Sequence, residues 1–137
     1  MVIVDASVWI DYLFDRNNPQ TDWLDWAIGR EEIGLTSLSV CEILQGVRFD
    51  RQFRELRADL LRFPVFESWS AQLAAASAQN YRSLRNRGIT IRSTIDCLIA
   101  TFCIQQNHSL LHRDRDFDAF ETHLRLEVIH PPTRSPN

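Results

Sequence analysis

Residues 1–11 read MVIVDASVWID, and the change of pattern inside them decides the fold. Val2, Ile3 and Val4 form a β-branched apolar run, the composition of a strand buried on both faces. The run stops at Asp5, and over 7–14 the spacing becomes helical. A strand that hands straight to a helix is the opening unit of a parallel sheet, whose crossovers supply the covering helices. It also sets Asp5 at the carboxyl end of a strand, where ligands collect in such sheets.

The alternation continues outward from this unit. Asn17, Asn18 and Pro19 make a turn, followed by a predicted helix over 20–28 and a second strand over 33–36. Val40, Ile43, Leu44 and Val47 recur at offsets 0, 3, 4 and 7, which predicts a helix over 38–49. A helix over 50–62, a strand over 64–66 and a long helix over 70–86, ended by Gly88, come next. Ile95, Leu98, Ile99, Phe102 and Cys103 mark a helix over 94–106. A strand over 109–112, a short helix over 116–123 and a strand over 126–129 close the pattern. The expected fold class is α/β, a three-layer α/β/α arrangement with a mainly parallel central sheet. It should form a single domain over 1–130 with a flexible C-terminal tail over 131–137, rich in proline and polar residues.

Composition removes several chemistries. All 15 basic residues are Arg, and without Lys there is no Schiff-base catalysis and no lysine-dependent phosphate loop. Gly29, Gly34, Gly46 and Gly88 lie too far apart for a dinucleotide-binding turn. Cys41, Cys97 and Cys103 are odd in number and include no CxxC, so neither disulfides nor a zinc site is expected. No positively charged leader precedes the first strand, and no apolar run reaches the roughly 18 residues of a membrane span. A soluble, cytoplasmic protein without membrane association is expected. The net charge of −3 predicts no general affinity for nucleic acid but allows a local basic patch.

Carboxylates recur where a site belongs. Asp5 is placed to N-cap the helix that follows it, and Ser7, two residues on, can hold a carboxylate by its hydroxyl. Glu42 sits among Val40, Cys41, Ile43 and Leu44, an unusual setting for a solvated acid, and Gly46 leaves space one turn beyond it. Asp96 is the third residue after Ser93, as in a capping box, yet it also flanks the apolar stripe of its helix. Asp114, Asp116 and Asp118 follow a strand, and any of them can cap the next helix. If the fold gathers Asp5, Glu42, Asp96 and Asp114, their repulsion raises their pKa values unless a divalent cation neutralises them. An oxygen-only donor set suits Mg2+ or Mn2+, and such ions serve phosphodiester hydrolysis.

Four segments in order carry a resemblance: VDASVWID with Asp5 and Ser7, SVCEILQG with Glu42 and Gly46, IDCLIATFC with Asp96, and SLLHRDRDF with Asp114 and Asp116. Together they resemble PIN-domain proteins, and among these the VapC ribonuclease toxins of bacterial toxin–antitoxin systems. The resemblance spans most of the chain and implies a PIN-like fold. It further implies a metal-dependent endoribonuclease that hydrolyses RNA phosphodiester bonds through a metal-activated water. Asp5, Glu42, Asp96 and Asp114 would then be catalytic, and the same four with Asp116 would hold Mg2+ or Mn2+, with Ser7 behind them. The resemblance also implies a homodimer, a cognate VapB-like antitoxin covering the pocket, and structured or ribosome-associated RNA, such as tRNA or rRNA, as substrate. His112 departs from the family pattern, which often has Thr or Ser there. It reads as a buried, hydrogen-bonded histidine or as a phosphate contact.

Arg82, Arg85, Arg87 and Arg92 lead up to Asp96, and Arg113 and Arg115 flank Asp114. Of these, Arg92, Arg113 and Arg115 are the candidate substrate-binding cations, with His112. Arg51, Arg54 and Arg57 at helical spacing read as a solvated face, and Trp23 with Trp26 as a subunit interface. An aspartate-nucleophile phosphatase would need a second Asp two residues after Asp5 and a downstream Lys, and this chain has Ser7 and no Lys. The remaining alternative is a non-catalytic RNA- or protein-binding PIN-like module.

Overall fold

A computed structural model describes residues 1–67 and 69–133. The elements are β1 (Val2–Val4), α1 (Ala6–Leu13), α2 (Pro19–Ala27), β2 (Ile33–Thr36), α3 (Ser37–Gln45), α4 (Asp50–Leu60), β3 (Val65–Phe66), α5 (Ala71–Asn86), α6 (Thr94–Gln106), β4 (Ser109–Leu111), a 3-10 turn (Arg115–Phe117), α7 (Asp118–Leu124) and β5 (Glu127–Val128). The strands run in the order β3-β2-β1-β4-β5. Every pairing is parallel. The fold is therefore the expected α/β/α arrangement.

Strand alternation sorts the apolar residues into two cores. Val2 and Val4 of β1 and Leu111 of β4 pack with Val8, Trp9, Leu24 and Ile43 on one face. Ile3 and Leu110 point the other way, into Ile99, Phe102, Phe117 and Phe120. Near-continuous apolar strands such as VIV follow from this burial on both sides.

After β1 the chain builds β2 and β3 on one side, then returns to lay β4 and β5 on the other. The switch point falls between β1 and β4, and in such sheets the crevice that takes ligands lies beyond the carboxyl ends of these strands. The Asp5 amide donates to the Leu111 carbonyl at 3.0 Å, so the chain leaves both strands at the same level.

Several expected boundaries move. The helix expected over 38–49 ends at Gln45, with Gly46 as its C-cap, and Phe49 becomes the residue before α4. Gly46 is exposed, and a Cβ there would meet only its own helix, the Ile43 carbonyl at 3.8 Å, so no packed backbone fills that space. The helix expected over 116–123 divides into the 3-10 turn and α7. The strand expected over 109–112 stops at Leu111, whose partner Val4 is the last residue of β1, and that over 126–129 contracts to Glu127–Val128. Cys97 and Cys103 are buried and Cys41 is exposed. Among the described residues no helix is long and apolar enough to cross a membrane. Of the tail expected over 131–137, residues 134–137 lie outside the described residues.

Candidate active site

Four elements converge on the crevice. Asp5, at the end of β1, N-caps α1: its Oδ2 accepts from the Ser7 amide at 3.0 Å and from Ser7 Oγ at 2.6 Å. Asp96, buried in the first turn of α6, receives its backbone cap from Ser93 Oγ at 3.2 Å. Asp114 caps the 3-10 turn, its Oδ1 accepting from the Asp116 amide at 3.0 Å. Glu42 is half-buried in α3. Capping accounts for where these acids stand on their elements, and the strand order brings the elements together.

The tightest group is Asp96, Asp114 and Asp116, whose carboxylate oxygens lie within 4.8 Å of one another. Asp116, a member of the expected metal-holding set, thus stands with Asp96 and Asp114. Asp5 and Glu42 act on this group through their charge. Burial first, then Asp5, Asp114 and Glu42, hold Asp96 well above the usual carboxylate range, at about 8. Burial also raises Asp5, against the lowering effect of its bonds from Ser7. Glu42 is raised by burial and by the charges of Asp5 and Asp114. Even the Cys97 thiol is pushed up to about 11, by burial and then by Asp96 and Asp116.

Asp5 Oδ1 and Glu42 Oε1 are buried and have no hydrogen-bond partner. An unpaired carboxylate oxygen away from water costs free energy, and a cluster of like charges adds to that cost. A hard cation relieves both, and a donor set made only of oxygen fits one. These residues could hold a divalent metal ion.

The PIN domain profile matches residues 2–122. The chain belongs to the PIN domain family. It is 30% identical to Ribonuclease VapC11 of Mycobacterium tuberculosis over 130 residues, which cover 93% of this chain and 97% of that protein. Among solved structures, VapBC2 from Rickettsia felis bound to a DNA fragment from their promoter matches with a TM-score of 0.74 at 18% identity, covering 94% of this chain and 98% of that one. A toxin-antitoxin complex from Klebsiella pneumoniae matches with a TM-score of 0.72 at 17% identity, covering 98% and 100%. At these identities the two structures establish the fold.

The basic residues of this PIN domain divide into engaged and free. Arg113 is engaged, its Nη1 donating to Asp11 Oδ2 at 2.6 Å while its amide donates to Ser7 Oγ at 3.1 Å. Arg92 and Arg115 are exposed and make no ion pair among the described residues. His112 Nδ1 accepts from the Asp114 amide at 3.1 Å, and its ring packs on Phe117 at 4.9 Å. Burial lowers its pKa in spite of nearby carboxylates, so the ring is neutral near pH 7 with its proton on Nε2. Nε2 is buried without a partner.

Arg51, Arg54 and Arg57 are exposed along α4, as a solvated face requires. Trp26 is 49% exposed, with Trp23 6.0 Å away and the Arg30 guanidinium over its ring. One residue escaped the sequence reading. Asp11 is buried beside the site, and the available signal was its i,i+4 spacing from Ser7, which puts both on one face of α1.

Proposed function

We propose that this chain is a metal-dependent endoribonuclease and the toxin of a cytoplasmic toxin–antitoxin pair, with 1–130 as one PIN-like unit and 131–137 as its tail. The observation that carries the reading is the meeting of Asp96, Asp114 and Asp116 within 4.8 Å beside unpartnered oxygens of Asp5 and Glu42. The naming of its relative VapC11 as a ribonuclease supports it.

Asp5, Glu42, Asp96 and Asp114 are the proposed catalytic carboxylates, and with Asp116 they would hold Mg2+ or Mn2+. The bound ion supplies Lewis-acid polarisation of a phosphoryl oxygen and a lowered pKa for the attacking water. The residues themselves prepare the site. Ser7 takes one Asp5 oxygen out of play and leaves the other available. Burial and the charges of Asp5, Asp114 and Glu42 favour the protonated form of Asp96, and a carboxyl group must lose its proton before it can hold a metal ion. Arg92 and Arg115 are free to meet phosphate oxygens of the RNA, with tRNA or rRNA as candidate substrates. A VapB-like antitoxin would cover the pocket, and Trp26 with Trp23 offers an apolar face for a homodimer.

The test is cleavage of end-labelled total RNA by the purified chain with Mg2+, Mn2+ or EDTA, beside Asp96→Asn. Metal-dependent cutting that the variant lacks is the expected result. Failure to cut by a folded, antitoxin-free chain would leave the non-catalytic RNA- or protein-binding module.

A further inference from the structure

Asp11 is only 8% exposed, and two hydrogen-bond donors and a second guanidinium converge on it. Arg113 Nη1 reaches its Oδ2 at 2.6 Å, Asn18 Nδ2 reaches the same oxygen at 3.1 Å, and Arg16 Nη1 lies 3.7 Å from Oδ1. None of these contacts belongs to the carboxylate cluster. The Arg113 contact joins residues 102 positions apart and ties α1 to the segment that follows β4.

Phe117 anchors the far end of that segment in the second core, whereas its ties to α1 are few. The last backbone bond between the two strand ends is the Asp5 amide to the Leu111 carbonyl. Beyond it, among the described residues, Arg113 makes both hydrogen bonds between the segment and α1: its amide to Ser7 Oγ and its guanidinium to Asp11. Ser7 Oγ in turn donates to Asp5 Oδ2 at 2.6 Å, and Asp114 is the next residue along the chain. Asp5 and Asp114 carry like charges on neighbouring strand ends, so their repulsion works to part the segment from α1.

We infer that Asp11 is a positioning residue of the acidic site, clamping Arg113 so that Ser7 stays on Asp5 and Asp114 stays beside Asp96 and Asp116. The inference rests on the nuclease reading for its consequence in catalysis. A charge-assisted contact to a buried carboxylate is suited to this work, since a planar guanidinium holds a fixed orientation. Asn18 donates to the same oxygen as Arg113, and Arg16 adds a longer ionic contact to the other, so Asp11 is steadied from its own end of the chain.

The experiment uses the full chain, with Asp11→Asn and Arg113→Lys compared after urea unfolding confirms folding. Free Mn2+ is counted by electron paramagnetic resonance, cleavage of labelled total RNA is followed at saturating Mn2+, and amide exchange is read at Arg113 and Asp114. Asp11→Asn is expected to weaken Mn2+ binding on the order of tenfold, as loss of an outer support does. It should also lower the maximal cleavage rate, leave the RNA concentration for half-maximal rate unchanged, and speed exchange of the two amides. Arg113→Lys should follow in the same direction with a smaller loss, and it serves if Asp11→Asn does not fold. Unchanged Mn2+ affinity and amide exchange would overturn the inference. So would a raised half-maximal RNA concentration with Mn2+ binding intact, which would make Arg113 an RNA contact. If the unaltered chain binds no Mn2+ and cuts nothing, the nuclease reading fails by itself, and amide exchange still decides the clamp: faster exchange in Asp11→Asn supports it and unchanged exchange overturns it.

Discussion

Ser7 Oγ donates to Asp5 Oδ2 at 2.6 Å, and the Ser7 amide bonds the same oxygen at 3.0 Å. The two oxygens of Asp5 thus have separate work: Oδ2 caps α1, and Oδ1 is buried without a partner. Capping and site chemistry are not competing explanations of this residue. The first fixes the carboxylate's orientation, and the second uses the oxygen that capping leaves over.

Ser7→Ala should therefore damage activity more than stability. The Asp5 cap survives through the Ser7 amide, so unfolding should shift by only about 1 kcal/mol. RNA cleavage should fall on the order of tenfold or more, because Asp5 loses its hydroxyl donor and the Arg113 amide loses its acceptor. Single-turnover cleavage and urea unfolding measured on the same preparation separate the two effects.

Asp96 makes the metal-free protein less stable as pH rises. Its pKa is about 8 in the folded chain against an ordinary 3.8, so between those values the folded chain binds more protons than the unfolded one. Stability is lost across that interval, while below it both states are protonated and the residue contributes no difference. Asp96→Asn should be the more stable protein at about pH 8.5, with the gap narrowing toward about pH 5.5. Added Mn2+ should stabilise the unaltered chain far more than the variant. Urea midpoints at both pH values, with Mn2+ and with EDTA, check each part.

Two glycines should respond oppositely to alanine. A Cβ at Gly34 in β2 would stand 2.9 Å from Met1 Sδ, 3.0 Å from Phe66 Cε2 and 3.1 Å from the Pro64 carbonyl. Met1 can move, but the Pro64 carbonyl accepts from the Leu35 amide at 3.1 Å and is part of the sheet edge. Gly34→Ala should cost about 1–3 kcal/mol. Gly46 has ordinary backbone geometry with open space around it, so Gly46→Ala should be neutral or slightly stabilising. The thermal midpoint should fall in Gly34→Ala and stay at or slightly above the unaltered value in Gly46→Ala.

His112 is a structural acceptor in this geometry. Its Nδ1 holds the Asp114 amide, and burial keeps the ring neutral near pH 7. His112→Gln retains an acceptor of similar reach, so the pH–rate profile between about pH 6 and about pH 8 should keep its shape. An acid limb that disappears in the variant would show that the imidazole titrates during turnover.

The acids were legible to different depths. Asp5, Asp96 and Asp114 announce themselves by standing where strands end or helices begin, because capping preferences are local. Glu42 shows through its apolar neighbours, and its buried, unpartnered oxygen agrees with that setting. How Asp116 stands toward Asp114 was not legible, since it depends on a 3-10 turn that bonds its amide to Asp114 where a regular helix was expected. Arg113 reads as a candidate cation for phosphate because it flanks Asp114, and its contact with Asp11, 102 positions away, is one that local pattern does not show.

By itself the sequence determined the succession of strands and helices, the apolar faces that bury them, and the carboxylates of Asp5, Asp96 and Asp114 where strands end or helices begin. These depend on periodicity and capping within a few residues. Only the tertiary structure decided that β1 lies between β2 and β4, and hence that Asp5 and Asp114 share one crevice with Asp96 and Glu42. Strand order is a choice among long-range pairings of similar local appearance. It is the closing of those pairings that turns separate helix caps into one cluster of repelling carboxylates.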